Sequence, residues 1–219
     1  MNYDHPPFAV LITGKKGSGK TTLWLERAQS HLARFKFIFD PCRETARKLG
    51  WPVAIDRPGL ERMLAYHGVV CFDSSALFPG ERKDGFAFFS RWCFNVSKRL
   101  RGVKLFGADE LQSCQAIGPF GMPQGLKEIM DEGRREEIDT LFAAQRVNEV
   151  NDDIRGHLTE VITFKHDDPL PLHWLKERGF NPEAVKALPV PGFWISRTDD
   201  GRITTNLHAP RKTNRRATA

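Results

Sequence analysis

The most constraining feature of this 219-residue sequence is a glycine-rich segment between an apolar run and a helix-forming run. Residues 14–21 read Gly-Lys-Lys-Gly-Ser-Gly-Lys-Thr and match the pattern GxxxxGK[ST] at every fixed position. The apolar run 8–13 predicts a buried strand, and residues 20–33 have helical spacing. Glycines let backbone N–H groups turn toward phosphate oxygens, and a helix N-terminus adds partial positive charge. The segment therefore predicts a phosphate-binding loop.

This loop supplies the candidate ligands of a nucleoside triphosphate and its Mg²⁺. In such a loop the lysine reaches the β and γ phosphates and the hydroxyl binds Mg²⁺, which assigns these roles to Lys20 and Thr21. The candidate nucleotide-binding residues are Gly14, Lys15, Lys16, Gly17, Ser18, Gly19, Lys20, Thr21 and Thr22.

A second candidate site follows the apolar run 103–108, where Asp109 and Glu110 stand side by side. The pattern assigns Asp109 to the Mg²⁺ ion and Glu110 to the attacking water as general base. Small nucleotide kinases do not need the second carboxylate, so the pair favours hydrolysis. Asp73, at the end of the run 69–73, is an alternative Mg²⁺ ligand, although no glutamate follows it.

A third group of candidates flanks the apolar run 138–144. Gln145 follows the run and is expected in the crevice beside the phosphate loop, where it can sense the γ-phosphate. Arg134 and Arg135 precede the run and are expected at the opposite sheet edge, from which they could reach a neighbour's phosphates as arginine fingers. An ordinary surface ion pair with Glu136 or Glu137 is the alternative for the arginines.

The remaining apolar runs alternate between strand-like and helix-like spacing, which is typical of an α/β fold with a parallel sheet. The Asp-Gly pair at 200–201 predicts a hairpin near the C-terminus. Strands are predicted at 8–13, 35–40, 53–55, 69–73, 103–108, 138–144, 158–164, 192–196 and 202–205, and helices at 20–33, 43–49, 59–66, 86–100, 124–135, 172–178 and 182–188.

Composition narrows the class of protein further. No apolar run is long enough for a transmembrane helix, and the first seven residues do not resemble a secretory signal. The four cysteines form no CxxC pair and are expected to be buried, reduced thiols. The net charge is +6, and much of it lies in a basic tail at 208–219 that follows an expected domain at 8–207 and an extension at 1–7.

Taken together, these motifs resemble the FtsK/HerA superfamily of DNA-pumping ATPases. The resemblance rests on the phosphate loop, the strand ending in Asp-Glu, and the stretch GRREEIDTLFAAQRVNEVNDDIR at 133–155. It covers about residues 8–166, and the small size is most similar to the genome-packaging ATPases of tectivirus-type phages. It implies a RecA/ASCE-like P-loop NTPase fold, with a parallel sheet flanked by helices and a small C-terminal β-hairpin.

The same resemblance implies an ATP-hydrolysing, Mg²⁺-dependent motor that threads double-stranded DNA through a homo-oligomeric ring, commonly a hexamer. It implies Lys20, Glu110, Gln145 and an arginine finger at Arg134 or Arg135 as catalytic residues. ATP is expected rather than GTP, since no guanine-reading NKxD stretch is present. A capsid vertex or portal protein is a further expected partner, and the expected location is the host cytoplasm or the virion.

Other functions stay open at this point. Filamentous-phage assembly ATPases of the zonula-occludens-toxin type share a similar core, a nucleotide or small-molecule kinase would share the phosphate loop, and a nucleotide-dependent switch would hydrolyse ATP slowly. Segments 81–84 and 113–125 are candidate loops for contact with DNA in the ring pore.

Overall fold

One continuous sheet organises the molecule. The computed structural model describes residues 9–114 and 122–206, and within these residues nine strands form a single sheet. The strands are β1 (Ala9–Thr13), β2 (Phe35–Phe39), β3 (Val53–Ala54), β4 (Val69–Phe72), β5 (Lys104–Ala108), β6 (Ile138–Ala144), β7 (Glu160–Thr163), β8 (Trp194–Thr198) and β9 (Ile203–Asn206).

The strand order is β3-β4-β2-β5-β6-β1-β7-β8-β9. Strands β1 to β7 are parallel, and β8 and β9 pair antiparallel at one edge. The predicted parallel sheet and C-terminal hairpin are therefore confirmed, and the hairpin extends the main sheet. Strand β6 lies between β1, which leads into the phosphate loop, and β5, which leads into Asp109.

Helices cover both faces of this sheet. They are α1 (Lys20–Ser30), α2 (Glu44–Leu49), α3 (Arg57–His67), α4 (Arg82–Ser97), α5 (Gln124–Glu132), α6 (Asp152–His157), α7 (Pro169–Glu177) and α8 (Pro182–Ala187). Side chains of α1 and α2 pack on one face, and side chains of α3 to α8 pack on the other. Asp56, Asp168 and Asn181 cap three of these helices, each with a proline in the first turn.

The face under α4 is filled by aromatic side chains. Phe72 stacks on Phe89 with ring centroids 5.2 Å apart, and Phe39 meets Phe86 edge-on at 5.1 Å. On the opposite face, Trp24 of α1 is fully buried, and its indole N–H donates to the carbonyl of Leu141 at 3.1 Å. This bond fixes the helix that follows the phosphate loop to the central strand β6.

Several predicted boundaries differ from the structure. The helix predicted at 86–100 spans 82–97, because the backbone carbonyl of Glu81 already accepts from Gly85 and the last turn tightens after Val96. The predicted DNA loop 81–84 is therefore mostly the first turn of α4. The helix predicted to end at 135 ends at Glu132, because Gly133 starts a tight turn. Helix α6 is an element that the sequence analysis does not predict.

Some predictions fall on residues that the structure does not describe. The extension 1–7, the tail 208–219 and the central part of segment 113–125 lie outside the described residues. All four cysteines are free, and Cys71, Cys93 and Cys114 are buried as expected, whereas Cys42 is exposed. Among the described residues, no helix has the length and apolar character needed to span a membrane.

Candidate functional site

The phosphate loop leaves the end of β1 and leads directly into α1. Gly14, Gly17 and Gly19 all have positive φ angles, which are 150°, 78° and 107°. A Cβ atom on Gly14 would lie 2.6 Å from the Cβ of Phe164, so the loop approaches the residue after β7 too closely for any side chain. The glycines of the motif are therefore required by the backbone that the structure adopts.

Lys20 lies at the first position of α1 and is largely buried. Its ammonium donates a hydrogen bond of 2.9 Å to the carbonyl of Lys15 within the loop. Burial lowers the pKa of Lys20, while the carboxylates of Asp109 and Glu110 act in the opposite direction. The ammonium thus lies between the loop backbone and the acidic pair at the end of β5, where a phosphate would be neutralised.

Thr21 connects the loop to the end of β5. Its hydroxyl donates a hydrogen bond of 2.9 Å to Oδ2 of Asp109. Burial raises the pKa of Asp109, and the hydrogen bond from Thr21 opposes that shift. A hydroxyl and a carboxylate are oxygen ligands of the kind that Mg²⁺ prefers, together with phosphate oxygens and water. These two side chains therefore fit a magnesium ion bound with a nucleotide.

The described residues contain no cluster of three or more histidine, cysteine, aspartate or glutamate side chains that could bind a metal ion alone. Asp73, the alternative ligand, contacts Arg43 at 2.6 Å and lies at the end of β4, beyond β2 and β5 from the loop. Asp109 is the carboxylate that contacts Thr21.

Glu110 follows Asp109 in an uncommon backbone conformation. Its φ angle is 55°, its N–H donates to Oδ1 of Asp109 at 2.9 Å, and its side chain is exposed. The carbonyl of Glu110 accepts from the hydroxyl of Ser113 at 2.8 Å, and this hydroxyl accepts from Arg82 at 3.2 Å. A left-handed non-glycine residue at an active-site turn is held there by its surroundings.

Gln145 completes the group from the end of β6. A cleft of about 140 Å³ is lined by Lys16, Gly17, Lys20, Thr21, Asp109, Glu110, Ala144 and Gln145. Pockets for whole small molecules usually have about 300–1000 Å³, so this cleft is smaller than a usual pocket for a whole ligand. The residues predicted for Mg²⁺, water and γ-phosphate therefore line one cleft, although they come from three different strand ends.

A larger cleft of about 530 Å³ lies elsewhere, between α3 and α4. Its wall includes Arg57, Trp92 and Arg99, and it contains neither a part of the phosphate loop nor Asp109. Chemistry rather than volume therefore identifies the smaller cleft as the candidate active site.

Residues after β7 support the loop from its other side, and no motif in the sequence indicates them. The N–H of Lys15 donates to the carbonyl of Lys165 at 2.9 Å, and the Lys15 ammonium contacts Asp167 at 2.7 Å. His166 is buried and shares a hydrogen bond of 3.2 Å with the hydroxyl of Thr13. Burial, and secondarily the charge of Lys20, lowers the pKa of His166 to about 4, so the imidazole is neutral at pH 7.

A second unpredicted support comes from the segment before β8. The N–H of Gly192 donates to the carbonyl of Ser18 at 2.8 Å, and the Gly192 backbone lies 3.3 Å from where a Cβ on Gly19 would be. The hydroxyl of Ser18 is buried, and no protein atom among the described residues bonds to it. A phosphate oxygen is a suitable partner for such a hydroxyl in this loop.

Arg134 and Arg135 lie at the N-terminal ends of the parallel strands, opposite the phosphate loop, as expected from their position before β6. Both are exposed, and neither contacts Glu136 or Glu137 as an ion pair within the described residues. Arg134 borders a cleft of about 230 Å³ next to the start of β1. Neither arginine is close to this chain's own phosphate loop, since they lie at the opposite ends of the strands.

Comparison with known proteins yields no family model and no curated protein sequence that matches. The fold, in contrast, is similar to solved structures. The genome packaging NTPase B204 from Sulfolobus turreted icosahedral virus 2, in complex with AMPPCP, has a TM-score of 0.73 at 18% identity, covering 94% of this chain and 98% of B204. VirB4 of Thermoanaerobacter pseudethanolicus has a TM-score of 0.65 at 13% identity, covering 93% and 90%.

The cytoplasmic domain of the Type VII secretion ATPase EccC from Thermomonospora curvata is a third similar structure. Its TM-score is 0.50 at 16% identity, and the match covers 90% of this chain but 25% of EccC. The fold of this chain is therefore the P-loop NTPase fold of these proteins, in agreement with the expectation from the sequence.

Proposed function

We propose that this protein is a Mg²⁺-dependent ATPase that translocates double-stranded DNA as a homo-oligomeric ring, in the packaging of a viral genome. The observation that carries the hydrolytic part is the single cleft that combines Lys20, the Thr21–Asp109 hydrogen bond, Glu110 and Gln145. The DNA and packaging part is supported by the fold shared with a viral genome packaging NTPase.

In this proposal each residue of the cleft has a defined role. Lys20 and the loop N–H groups bind the β and γ phosphates, and Thr21 and Asp109 hold the Mg²⁺ ion, which supplies positive charge to the phosphates. Glu110 accepts the proton of the attacking water, and Gln145 orients that water or the γ-phosphate. Because Asp109 bonds both the Thr21 hydroxyl and the Glu110 N–H, the metal ligand also positions the base.

The proposal extends to the assembly. Arg134 and Arg135 are exposed at the N-terminal ends of the parallel strands, away from the cleft of their own chain. They are therefore available to complete the cleft of a neighbouring subunit. The proposed partners are double-stranded DNA, bound through its phosphates, further copies of the chain, and a capsid vertex or portal protein. The proposed location is the host cytoplasm or the virion.

The first experiment measures phosphate release from ATP with and without double-stranded DNA, at low and at moderate salt. We expect stimulation by DNA that weakens as salt rises, because backbone contacts release counterions. Hydrolysis that does not respond to DNA would contradict the translocation part and favour a switch. Transfer of phosphate to an acceptor without free phosphate would favour a kinase, and no turnover in either condition would contradict the enzymatic part.

A further inference from the structure

A buried lysine stands at the start of β5, the strand that leads to Asp109. Lys104 is 2% exposed, although lysine is rarely buried without a partner. Its ammonium donates a hydrogen bond of 2.7 Å to the carbonyl of Glu136, and its backbone N–H donates to the carbonyl of Glu137 at 2.8 Å. Burial lowers the pKa of Lys104, while the carboxylates of Glu137 and Glu136 act in the opposite direction.

The two carbonyls that Lys104 binds belong to the turn that carries Arg134 and Arg135. This turn, residues 133–137, is further closed by two bonds to the carbonyl of Gly133, from Glu136 N–H at 3.1 Å and from the N–H of residue 138 at 2.8 Å. The turn ends on Glu137, whose φ angle is 54°. It is therefore a defined conformation in which the two arginines are exposed.

The side chain of Glu137 adds a second link to the same region. Its Oε2 accepts from the N–H of Gly102 at 3.1 Å, two residues before Lys104. The segment 102–104 therefore holds the turn through the side chain of Lys104 and through the backbone N–H groups of Gly102 and Lys104. The Lys104 ammonium and the Glu137 carboxylate each make one charge-assisted hydrogen bond in this set, and such bonds are stronger than neutral ones.

We propose that Lys104 is a positioning residue for the arginine finger: it holds the turn 133–137 so that Arg134 and Arg135 are presented to the neighbouring subunit. This role rests on the proposed function, since it requires a ring. Strand β5 then joins two active sites, because Lys104 holds the finger for a neighbour and Asp109, about 17 Å along the strand, belongs to the chain's own site.

The test uses a property that a merely structural residue lacks, which is action in trans. Lys104→Met keeps the apolar stem and removes the ammonium. In a ring made of this variant alone, we expect the ATPase rate to fall by about 10-fold or more. Lys20→Ala subunits are inactive but carry an intact finger. Mixing the two variants should restore about a quarter of the wild-type rate, because random assembly places the intact finger beside the intact site at about one interface in four.

Two further variants calibrate this experiment. The double variant R134A/R135A should be inactive alone and should recover with Lys20→Ala, in the same way as Lys104→Met. Lys36→Met is the matched control, because Lys36 is also a strand lysine whose ammonium caps backbone carbonyls, those of Ala28 and Gln29 on α1. Any loss in Lys36→Met acts within its own subunit, so it should not recover on mixing.

The outcomes separate the two proposals. Recovery of the double arginine variant without recovery of Lys104→Met would overturn the role of Lys104 and keep the finger. Failure of the arginine variant to recover would overturn the trans finger, and the role of Lys104 with it. If Lys104→Met does not fold, Glu137→Asn replaces it: asparagine tolerates the positive φ but is too short to reach Gly102, and it should show the same recovery on mixing.

Discussion

The hydroxyl of Thr21 and the carboxylate of Asp109 are joined by a hydrogen bond of 2.9 Å, although their strands β1 and β5 are not neighbours. Strand β6 lies between the two strands, and its C-terminal end carries Gln145. The intervening strand therefore places a third polar group beside the two residues that we propose as metal ligands. The position of Gln145 in the cleft follows from this strand order.

Loss of the Asp109 carboxylate is expected to remove the metal site. Asp109→Asn should lower ATP hydrolysis on the order of 100-fold, because one Mg²⁺ ligand is lost and the N–H of Glu110 loses its charged acceptor. Thr21→Ser keeps the hydroxyl and should retain most of the activity. Phosphate release measured against Mg²⁺ concentration distinguishes the two variants, and a wild-type Mg²⁺ response in Asp109→Asn would contradict the assignment.

Glu110→Gln is expected to separate binding from hydrolysis. The general base is removed, so turnover should fall by about 100-fold to 10,000-fold, whereas the phosphate loop and the Thr21–Asp109 pair remain and ATP should still bind. Binding of a fluorescent ATP analogue, measured beside phosphate release, gives both quantities. A variant that hydrolyses ATP at the full rate would place the base elsewhere.

Arg82 is expected to affect the chemical step through the turn after Glu110. Its guanidinium donates to Ser113, whose hydroxyl donates to the carbonyl of Glu110. Arg82→Ala should lower kcat several-fold, on the order of one hydrogen bond, without a comparable change in KM for ATP. Lys83→Ala is the matched control, because Lys83 is exposed on the same first turn of α4. If Arg82→Ala and the wild-type protein have equal kcat values without DNA, Arg82 does not act on the chemical step.

Two glycine substitutions should have opposite effects on stability. Gly14→Ala forces a Cβ within 2.6 Å of Phe164 at a φ of 150°, so it should weaken both folding and ATP binding. Gly156→Ala adds a methyl group in open space on α6 and should raise the free energy of unfolding by about 0.5–1 kcal/mol. Thermal unfolding measures both effects, and a neutral Gly14→Ala would contradict the close packing of the loop on Phe164.

His166 is expected to make stability depend on pH below neutrality. The pKa of His166 is about 4 in the folded protein and about 6.5 in an unfolded chain, so the unfolded state binds the proton first as pH falls. His166 therefore causes almost no loss in the free energy of unfolding above about pH 6.5. As pH falls toward 4 the free energy of unfolding decreases, with a loss of about 2 kcal/mol at pH 5 from this residue. Urea unfolding at pH 7 and pH 5 measures the loss.

His166→Gln provides the comparison for that measurement. Glutamine can bond to the Thr13 hydroxyl but does not titrate, so the difference in unfolding free energy between the two pH values should be smaller in this variant. An identical pH dependence in the two proteins would show that other groups cause it.

The sequence predicted the strands and the cleft well, because both depend on local signals. Buried parallel strands are continuous apolar runs, and the pair Asp109-Glu110 directly follows one of these runs, as Gln145 follows another. The C-terminal ends of parallel strands all lie at the same end of the sheet. The residues that follow them are therefore neighbours in space even when the strand order is unknown.

The supports of the phosphate loop could not be predicted in the same way. The contacts of Lys15 with Asp167 and of Ser18 with Gly192 join segments that are far apart in the sequence, and they depend on where β7 and β8 join the sheet. Lys104 is a similar case. As a single charged residue in an apolar run, it indicates a weak strand, and its partner is visible only once β5 and β6 are paired.

The bond between Gly192 and Ser18 also has a consequence for synthesis. At about 5–20 residues per second, the ribosome adds residue 192 roughly 10–35 s after residue 18. During that time the nascent chain contains the complete phosphate-loop motif without the segment that braces it. The phosphate loop therefore acquires this bracing bond only after the polypeptide has been made through residue 192, just before β8.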